Sequence, residues 1–303
     1  MEEKQEVQEN PSGEEQVKKG VRVIQALRGM KDILPADQKY WKLVYDKVVS
    51  LAANFGFERF ETPVLEEALL FNRSIGKDTD IVEKEMYIFE DLDGTKVALR
   101  PEATASLARA YIQHGLWNQP QPIKAWYWGP MFRHERPQSG RYRNFYQFGF
   151  EIMGEAAPIA DAIIILLAYN FYHEMGVPVS IQINSIGCAD CRARYIEELT
   201  QYFRSQRSHL CEFCKKRLQR NPLRLLDCKE EQCQPVKQNA PQILDSLCDS
   251  CREHFMAVLE YLDELGLPYF LNHTLVRGLD YYTRTVFEIY AAGEEGASQS
   301  ALG

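Results

Sequence analysis

The sequence predicts an α+β fold in which helices flank an antiparallel β-sheet and an α-helical insertion interrupts the chain. Three observations support this fold class. Residues 123–154 read as two β-rich segments around a polar loop, as in a hairpin. Residues 35–54 carry apolar side chains at helical spacing. Residues 188–268 hold all eight cysteines and show helical periodicity without a convincing strand.

The bulk composition excludes several classes of protein. The chain has 303 residues, of which 45% are hydrophobic and 26% charged, and its net charge is −8. This acidic balance argues against a generally basic nucleic-acid-binding surface, so any RNA contact must come from local patches. Residues 1–20 contain no secretory signal, and the longest apolar run, residues 162–168, is too short to span a membrane. We therefore expect a cytoplasmic protein whose cysteines do not form disulfides.

The first third of the chain alternates helical and extended patterns. Residues 1–20 hold six Glu, three Lys and no aromatic residue, which predicts a disordered tail. A helix is expected from near Pro35 to about Asn54, ended by Gly56, with a strand over residues 57–64 after it. Two further strands, residues 85–90 and 95–99, flank an Asp-Gly turn.

A helix over residues 105–115 follows directly, and Glu102 and Thr104 lie at its start. A carboxylate and a hydroxyl in this position are typical helix caps, and that is their structural interpretation. A capping position is also compatible with contact to a ligand.

The hairpin over residues 123–154 predicts a small polar pocket. In its second strand the two-residue period places Gln147, Gly149 and Glu151 on one face. The opposite face is apolar. The loop between the strands contains four arginines against one glutamate, and guanidinium groups bind phosphate bidentately. These arginines are Arg133, Arg136, Arg141 and Arg143.

The second half continues with a buried helix over residues 159–175 and a strand over residues 179–184. After the insertion, residues 275–290 supply a glycine-containing turn and a strand.

Three segments resemble the motifs of one family. FRHERPQSGRYRNFYQFGFEIMG is similar to motif 2 of class II aminoacyl-tRNA synthetases, and closely to that of the histidyl-tRNA synthetases. LVRGLDYYTRTVFEIY resembles the histidine-specific motif of that family, and ALRPEATAS completes the match. The long helix, strand and proline of residues 35–64 resemble motif 1, which forms a dimer interface in class II enzymes. The resemblance covers the chain from about Leu27 onward.

The resemblance implies a class II synthetase-like fold and a ligase activity. The reaction would activate histidine with ATP to histidyl-adenylate and transfer it to the 3′ end of tRNA-His. Mg²⁺ is expected to be bound through the ATP phosphates, and a homodimer through motif 1. Arg133 and Arg277 are implied as the catalytic, ATP-contacting residues. The residues implied to bind histidine are Glu102, Thr104, Arg133, Gln147, Glu151, Arg277, Tyr281 and Tyr282.

The resemblance also divides the chain into regions and shows where it departs from the family. After the tail at residues 1–20, we expect a first part of the catalytic core at 21–187, the helical insertion at 188–268, and a second part at 269–303. Motif 3 and the anticodon-binding domain are not recognised, so we expect a catalytic-domain fragment. A competing interpretation is the synthetase-like regulatory subunit of ATP phosphoribosyltransferase, which binds histidine without catalysis. The intact segment from Arg277 to Tyr282 disfavours it, and also disfavours a synthetase for proline or threonine.

The cysteines of the insertion predict a possible structural zinc. Three C-x-x-C pairs and one wider pair supply enough thiolates for two tetrahedral sites. Buried cysteines that pack as small hydrophobic residues are the main alternative, and a redox C-x-x-C is a weaker one. The residues concerned are Cys188, Cys191, Cys211, Cys214, Cys228, Cys233, Cys248 and Cys251.

Overall fold

The computed structural model describes residues 24–76, 79, 81–136, 140–279, 281–292 and 301–303. The predicted tail at residues 1–20, the loop centre at 137–139 and Asp280 lie outside the described residues. The helices are α1 (Gln38–Asn54), α2 (Ala68–Ser74), α3 (Thr104–Gln113), α4 (Pro158–Glu174), α5 (Ala189–Ser205), α6 (Glu212–Arg220), α7 (Gln234–Gln238) and α8 (Asp249–Glu264). The strands are β1 (Glu58–Arg59), β2 (Leu65–Glu67), β3 (Ile88–Glu90), β4 (Lys96–Leu99), β5 (Ile123–Phe132), β6 (Asn144–Met153), β7 (Val179–Ser185), β8 (Tyr269–Leu271) and β9 (Thr285–Ala291).

The strands form three small sheets, in the orders β1-β5-β6, β2-β4-β3 and β8-β7-β9. The predicted α+β class and the helices flanking the sheets are confirmed. Two of the sheets are mixed, however, because β1 pairs with β5 in parallel and β8 pairs with β7 in parallel, whereas the β2-β4-β3 sheet is antiparallel. The chain leaves β7 and returns to β8 only after the insertion and α8, and parallel neighbours need such a crossover.

Helix α1 confirms the first amphipathic prediction. Its residues Val48, Leu51 and Ala52 are buried, and the chain turns at Gly56 with φ of +71°. The strand predicted over residues 57–64 is wrong in extent, since β1 spans only Glu58–Arg59. Pro63 has no N–H to donate to a continuing ladder, and β2 joins a different sheet. The strand predicted over residues 85–90 is likewise shorter, because Ile81–Glu85 forms a π-helical turn.

Helix α4 is apolar around most of its circumference because it packs against two hydrophobic cores. Ala162 and Ile165 pack with the inner face of the β8-β7-β9 sheet. Leu167 and Phe171 pack with α1 and with the apolar face of the β5-β6 hairpin. A helix that is hydrophobic all round is expected to be buried. Helix α4 therefore joins the hairpin to the second sheet.

The predicted insertion is helical, and no strand lies in residues 188–268, all of which the structure describes. Its cysteines lie in one apolar cluster with side chains of α5, α6 and α7. Helix α8 differs, because Phe255, Val258 and Leu262 pack against the β8-β7-β9 sheet instead. The boundary at residue 268 stays a prediction, while α8 packs as the crossover helix of that sheet.

Among the described residues, no helix combines the length and the apolar character that crossing a membrane requires.

Candidate active site

The floor of the candidate site is one face of the β5-β6 hairpin. Phe148, Phe150 and Ile152 pack against the core beneath α1 and α4, so the alternation of the strand turns Gln147, Gly149 and Glu151 to the other side. The predicted division of β6 into an apolar and a polar face is confirmed by this packing.

Two glycines leave room on this face for large side chains of neighbouring elements. Gly149 lies opposite Tyr127 of β5, and a Cβ at Gly149 would come within 2.5 Å of the Tyr127 hydroxyl oxygen. A Cβ at Gly129 would overlap the guanidinium of Arg100. Arg100 is buried and donates from Nε to the Pro130 carbonyl at 3.0 Å. The hairpin face is thus shaped by a buried tyrosine and a buried arginine.

Glu102 lies at the start of α3 and caps it. One carboxylate oxygen accepts from the Thr104 N–H at 2.7 Å, and the other accepts from the Ala105 N–H at 2.9 Å. The structural interpretation of Glu102 is therefore confirmed. Thr104 turns its hydroxyl across to the hairpin and donates to Glu151 Oε1 at 2.6 Å. The start of α3 and the polar face of β6 are joined by this bond.

The carboxyl group of Glu151 titrates near neutrality. Its pKa is raised to about 7: burial raises it most, the hydrogen bond from Thr104 lowers it, and the charge of Glu102 raises it. Burial is the largest of the three effects, because the ionised form loses more hydration than one hydroxyl donor restores. A carboxyl group with such a pKa can accept or donate a proton at physiological pH.

The segment between β8 and β9 brings two tyrosines to the same place. Tyr281 directs its hydroxyl at Glu102 Oε2, 3.4 Å away, and stacks on Tyr282 with 5.0 Å between ring centroids. Burial raises the pKa of Tyr281, and nearby Glu102 raises it further, so its hydroxyl remains a donor. The structure brings Glu102, Thr104, Glu151, Tyr281 and Tyr282 together from three separate segments.

The two candidate catalytic arginines come from different segments and make different contacts near this cluster. Arg133 donates from Nε to the Pro101 carbonyl at 2.9 Å, and its guanidinium lies 5.3 Å from the Phe145 ring centroid. Arg277 lies over the Tyr282 ring at 5.3 Å and forms an ion pair with Glu288. Within the described residues no direct contact joins the two guanidinium groups, and their convergence on one phosphate stays a prediction.

Gln147 contributes a buried acceptor without a partner. Its Oε1 is buried and accepts no hydrogen bond from any residue that the structure describes. A buried acceptor without a donor costs about 1–3 kcal/mol, which a ligand N–H would recover. The predicted contact of Gln147 with a ligand stays a prediction, and this free acceptor is compatible with it.

The arginines of the hairpin loop have several partners within the chain. Arg141 pairs with Glu135 at 3.3 Å, and Arg143 donates from Nε to the Glu135 carbonyl at 3.2 Å. Arg136 is exposed. The cationic loop that the sequence predicts is thus partly neutralised and held by its own residues.

The comparisons with known proteins identify the family of the chain. A family model described as histidyl-tRNA synthetase matches residues 29–300. The histidine–tRNA ligase of Halothermothrix orenii is 50% identical over 281 residues, and that of Dehalococcoides mccartyi strain 195 is 49% identical over 280 residues. Each match covers 92% of this chain.

The chain belongs to the histidyl-tRNA synthetase family. A crystal structure of apo histidyl-tRNA synthetase from S. aureus is 36% identical and superposes with a TM-score of 0.69 over 88% of this chain. The resemblance predicted from the three motifs is confirmed, and so is the class II synthetase-like fold.

Members of this family differ from the chain in length. The chain spans 67% and 66% of the two curated relatives and 61% of the S. aureus protein. An ATP phosphoribosyltransferase regulatory subunit/histidyl-tRNA synthetase from Bacillus halodurans has a TM-score of 0.65 but only 22% identity. That likeness shows the shared fold alone.

Two residues of this histidyl-tRNA synthetase-like site are not found by the sequence reasoning. Tyr127 fills the space over Gly149, and Glu288 pairs with Arg277. The signal for Tyr127 is present in the sequence, since pairing the two strands of the hairpin puts a large side chain opposite a glycine. Glu288 has no comparable local signal, because its pairing with Arg277 depends on how the turn before β9 folds.

Proposed function

We propose that this chain carries the histidine-activating site of a histidine–tRNA ligase. Histidine and ATP would react to histidyl-adenylate and pyrophosphate, and the histidyl group would pass to the 3′ end of tRNA-His with release of AMP. The observation that carries the proposal is the joining of Glu102, Thr104, Glu151 and Tyr281 by hydrogen bonds across three separate segments.

In the first step a carboxylate oxygen of histidine forms a bond to the α-phosphorus of ATP. The bond from that phosphorus to the bridging oxygen breaks, and pyrophosphate leaves with the electron pair. Such a step needs charge neutralisation and fixed geometry more than proton transfer. Arg133 and Arg277 supply the positive charge in this proposal. A guanidinium group has five N–H donors, so the bond from Arg277 to Glu288 leaves others for a phosphate oxygen.

Selection of histidine requires partners for both imidazole nitrogens. Glu151 and Tyr282 are the proposed partners, since a carboxyl group and a phenol have complementary hydrogen-bonding roles. The near-neutral pKa of Glu151 supports this role, because the carboxyl group titrates close to an imidazole. The unpartnered Oε1 of Gln147 is the proposed acceptor for the α-ammonium group, together with Glu102. Tyr281 would hold Glu102 in place for that contact.

ATP is the second substrate, and Mg²⁺ is proposed to come with it. The carboxylates of the site do not form an open set of oxygen ligands, since Glu102 caps α3, Glu151 accepts from Thr104 and Glu288 pairs with Arg277. Mg²⁺ is commonly bound through substrate phosphates and water with few protein ligands.

Histidine-dependent exchange of labelled pyrophosphate into ATP tests the proposal. We expect exchange with histidine and none with proline or threonine. Arg277→Lys should lower the exchange rate at least 10-fold, because a lysine cannot make the same bidentate contacts. Arg59→Lys, on an exposed arginine of β1, is the matched control and should leave exchange unchanged. Histidine binding without exchange would favour the regulatory-subunit interpretation instead.

We further propose that the protein acts in the cytoplasm and forms a homodimer through the α1 region. Support comes from the apolar side chains that α1 exposes in addition to its buried face: Tyr40 is 61% exposed and Leu43 is 54% exposed. Sedimentation should show a dimer that Leu43→Glu dissociates. Met256→Glu, at an exposed position of α8, should remain dimeric. Dimers that persist in both variants would contradict this interface.

A further inference from the structure

The eight cysteines of the chain separate into two groups of four, although the sequence alone leaves their grouping open. In each group all four sulfur atoms lie within 4.8 Å of one another. The outer quartet is Cys188, Cys191, Cys248 and Cys251, and the inner quartet is Cys211, Cys214, Cys228 and Cys233. No cysteine of the sequence is left outside these two quartets.

The distances between the sulfur atoms fit a tetrahedral metal site. Zinc–sulfur bonds of about 2.3 Å in a tetrahedron separate neighbouring sulfurs by about 3.8 Å. The Cys188 and Cys191 sulfurs are 3.5 Å apart, and those of Cys211 and Cys228 are 3.8 Å apart. Both distances far exceed the disulfide bond length of about 2.05 Å. None of the eight cysteines, all of which the structure describes, forms a disulfide.

Backbone N–H groups and helix N-termini also face the sulfur atoms of both quartets. Cys188, Cys211 and Cys248 each directly precede the first residue of a helix, namely α5, α6 and α8. The Cys248 N–H points at the Cys191 sulfur at 3.1 Å. In the inner quartet the Cys211 N–H points at the Cys233 sulfur at 3.2 Å. Amide donors and helix N-termini both stabilise negative charge on sulfur.

We propose that each quartet binds one Zn²⁺ in a closed, structural site. The two sites are nested along the chain: the outer one joins the beginning of the insertion to the start of α8, and the inner one closes the segment between them. With four thiolate ligands, neither ion keeps a coordination position open for a substrate, which is the mark of structural zinc. The Lys237 ammonium, which donates to the Cys228 carbonyl at 2.8 Å, adds a positive charge beside the inner site.

Residues next to the outer site form hydrogen bonds to the segment between β8 and β9, which resembles the histidine-specific motif. Gly187, directly before Cys188, accepts from the Arg284 N–H at 2.9 Å. Arg192, directly after Cys191, donates to the Tyr282 carbonyl at 3.0 Å. Zinc at the outer quartet would therefore fix the backbone that carries Tyr282. The hydrogen bond from Arg192 to Tyr282 is observed in the fold, whatever reaction the protein catalyses. The zinc proposal therefore does not depend on the proposed ligase activity.

The test is metal analysis of the protein purified without chelators. We expect two equivalents of zinc per chain, and one equivalent in each of two double variants, Cys188→Ser with Cys251→Ser and Cys211→Ser with Cys233→Ser. The two variants control for each other, because each removes two thiols from the same apolar cluster. Cobalt in place of zinc should give the intense absorption of tetrahedral thiolate coordination, halved in each variant.

A titration of the unmodified protein with a mercurial reagent keeps the proposal testable if the variants do not fold. Eight thiols should react with release of two zinc ions, four thiols for each ion. Less than a tenth of an equivalent of zinc, a single equivalent, or iron in place of zinc would overturn the proposal. The cysteines would then be packed as hydrophobic core residues.

Discussion

The hairpin site and the cysteine-rich insertion bury polar atoms in opposite ways. At the β5-β6 hairpin, Glu151 and Gln147 lie on a face that neighbouring side chains only partly satisfy, and Gln147 Oε1 has no donor among the described residues. In the insertion, the sulfur atoms face one another in two quartets inside an apolar cluster.

This difference indicates what each region does. Buried polar atoms that lack partners cost free energy unless a ligand satisfies them, so a site that keeps them is prepared for a ligand. Groups that satisfy each other, directly or through a bound ion, stabilise the fold and exclude substrates. This contrast favours the proposal that the hairpin is the region for chemistry, and the insertion contacts the segment beside it through Gly187 and Arg192.

The largest effect that tests this contrast is expected at Gly149. In Gly149→Ala the new methyl group would approach the ring and hydroxyl of Tyr127, which is buried and cannot move aside easily. We expect the free energy of unfolding to fall by about 1–3 kcal/mol, as for other overpacked sites. Histidine-dependent exchange should be lost as well, because the floor of the site is displaced. Urea unfolding and the exchange assay measure the two effects.

The double variant with Tyr127→Ala provides the control for Gly149→Ala. Removing the tyrosine ring should relieve the clash, so the stability cost of the methyl group should largely disappear in that background. If the cost is the same in both backgrounds, Tyr127 does not explain the glycine. If Gly149→Ala folds and retains full exchange, the hairpin face is not the site.

A smaller effect is expected when the partner of Arg277 is altered. Glu288 accepts from Arg277 with one carboxylate oxygen and from the Tyr290 hydroxyl with the other. Burial lowers the pKa of Arg277, but Tyr282 and Glu288 together raise it above its usual value, and the pair with Glu288 fixes the direction of the guanidinium. Glu288→Gln keeps the shape but loses the charge, and we expect kcat for exchange to fall ~10-fold, with little change in KM for histidine.

Tyr290→Phe is the control for Glu288→Gln. It removes the hydroxyl that donates to Glu288 and leaves the bond between Glu288 and Arg277 in place. Its effect on kcat should be clearly smaller. A lowered melting temperature with unchanged kcat in Glu288→Gln would assign Glu288 to stability alone.

The parts of the fold that follow from local sequence pattern are predicted well. The two-residue period of β6 gives the polar face, and the apolar spacing of α1 and α4 gives those helices. The parallel pairing of β1 with β5 is not predicted, because it joins residues that are far apart in the sequence and leaves no local period. For the same reason the sequence identifies three C-x-x-C pairs but not the grouping of Cys191 with Cys248, which lie 57 residues apart.

The candidate site shows the same limit. Resemblance to known motifs names Glu102, Glu151 and Arg277, yet it does not show that Thr104 bonds to Glu151 or that Glu288 holds Arg277. Those contacts depend on the relative placement of three segments. The capping and ligand-binding interpretations of Glu102 are compatible, because its helix bonds and its contact with Tyr281 coexist.

The last expected effect concerns stability alone, and it is the contribution of Glu151 to the pH dependence of stability. In the unfolded chain this carboxyl group ionises near pH 4.5, whereas in the folded chain it keeps its proton up to about pH 7. Between these values the folded state binds more protons than the unfolded state, so the free energy of unfolding falls as pH rises. The full contribution is on the order of 3 kcal/mol. It is present below pH 4.5 and lost above pH 7.

Urea unfolding at pH 5 and pH 8 measures this contribution. Glu151→Gln has no ionisable group and should lose less stability than the unmodified chain between the two pH values. Glu155→Gln, at an exposed position shortly after β6, should keep the pH dependence of the unmodified chain. An identical slope in all three proteins would mean that Glu151 is ionised and solvated in the folded state. The contrast between a site whose buried polar groups are only partly satisfied and an insertion whose sulfur atoms satisfy one another would then fail at Glu151.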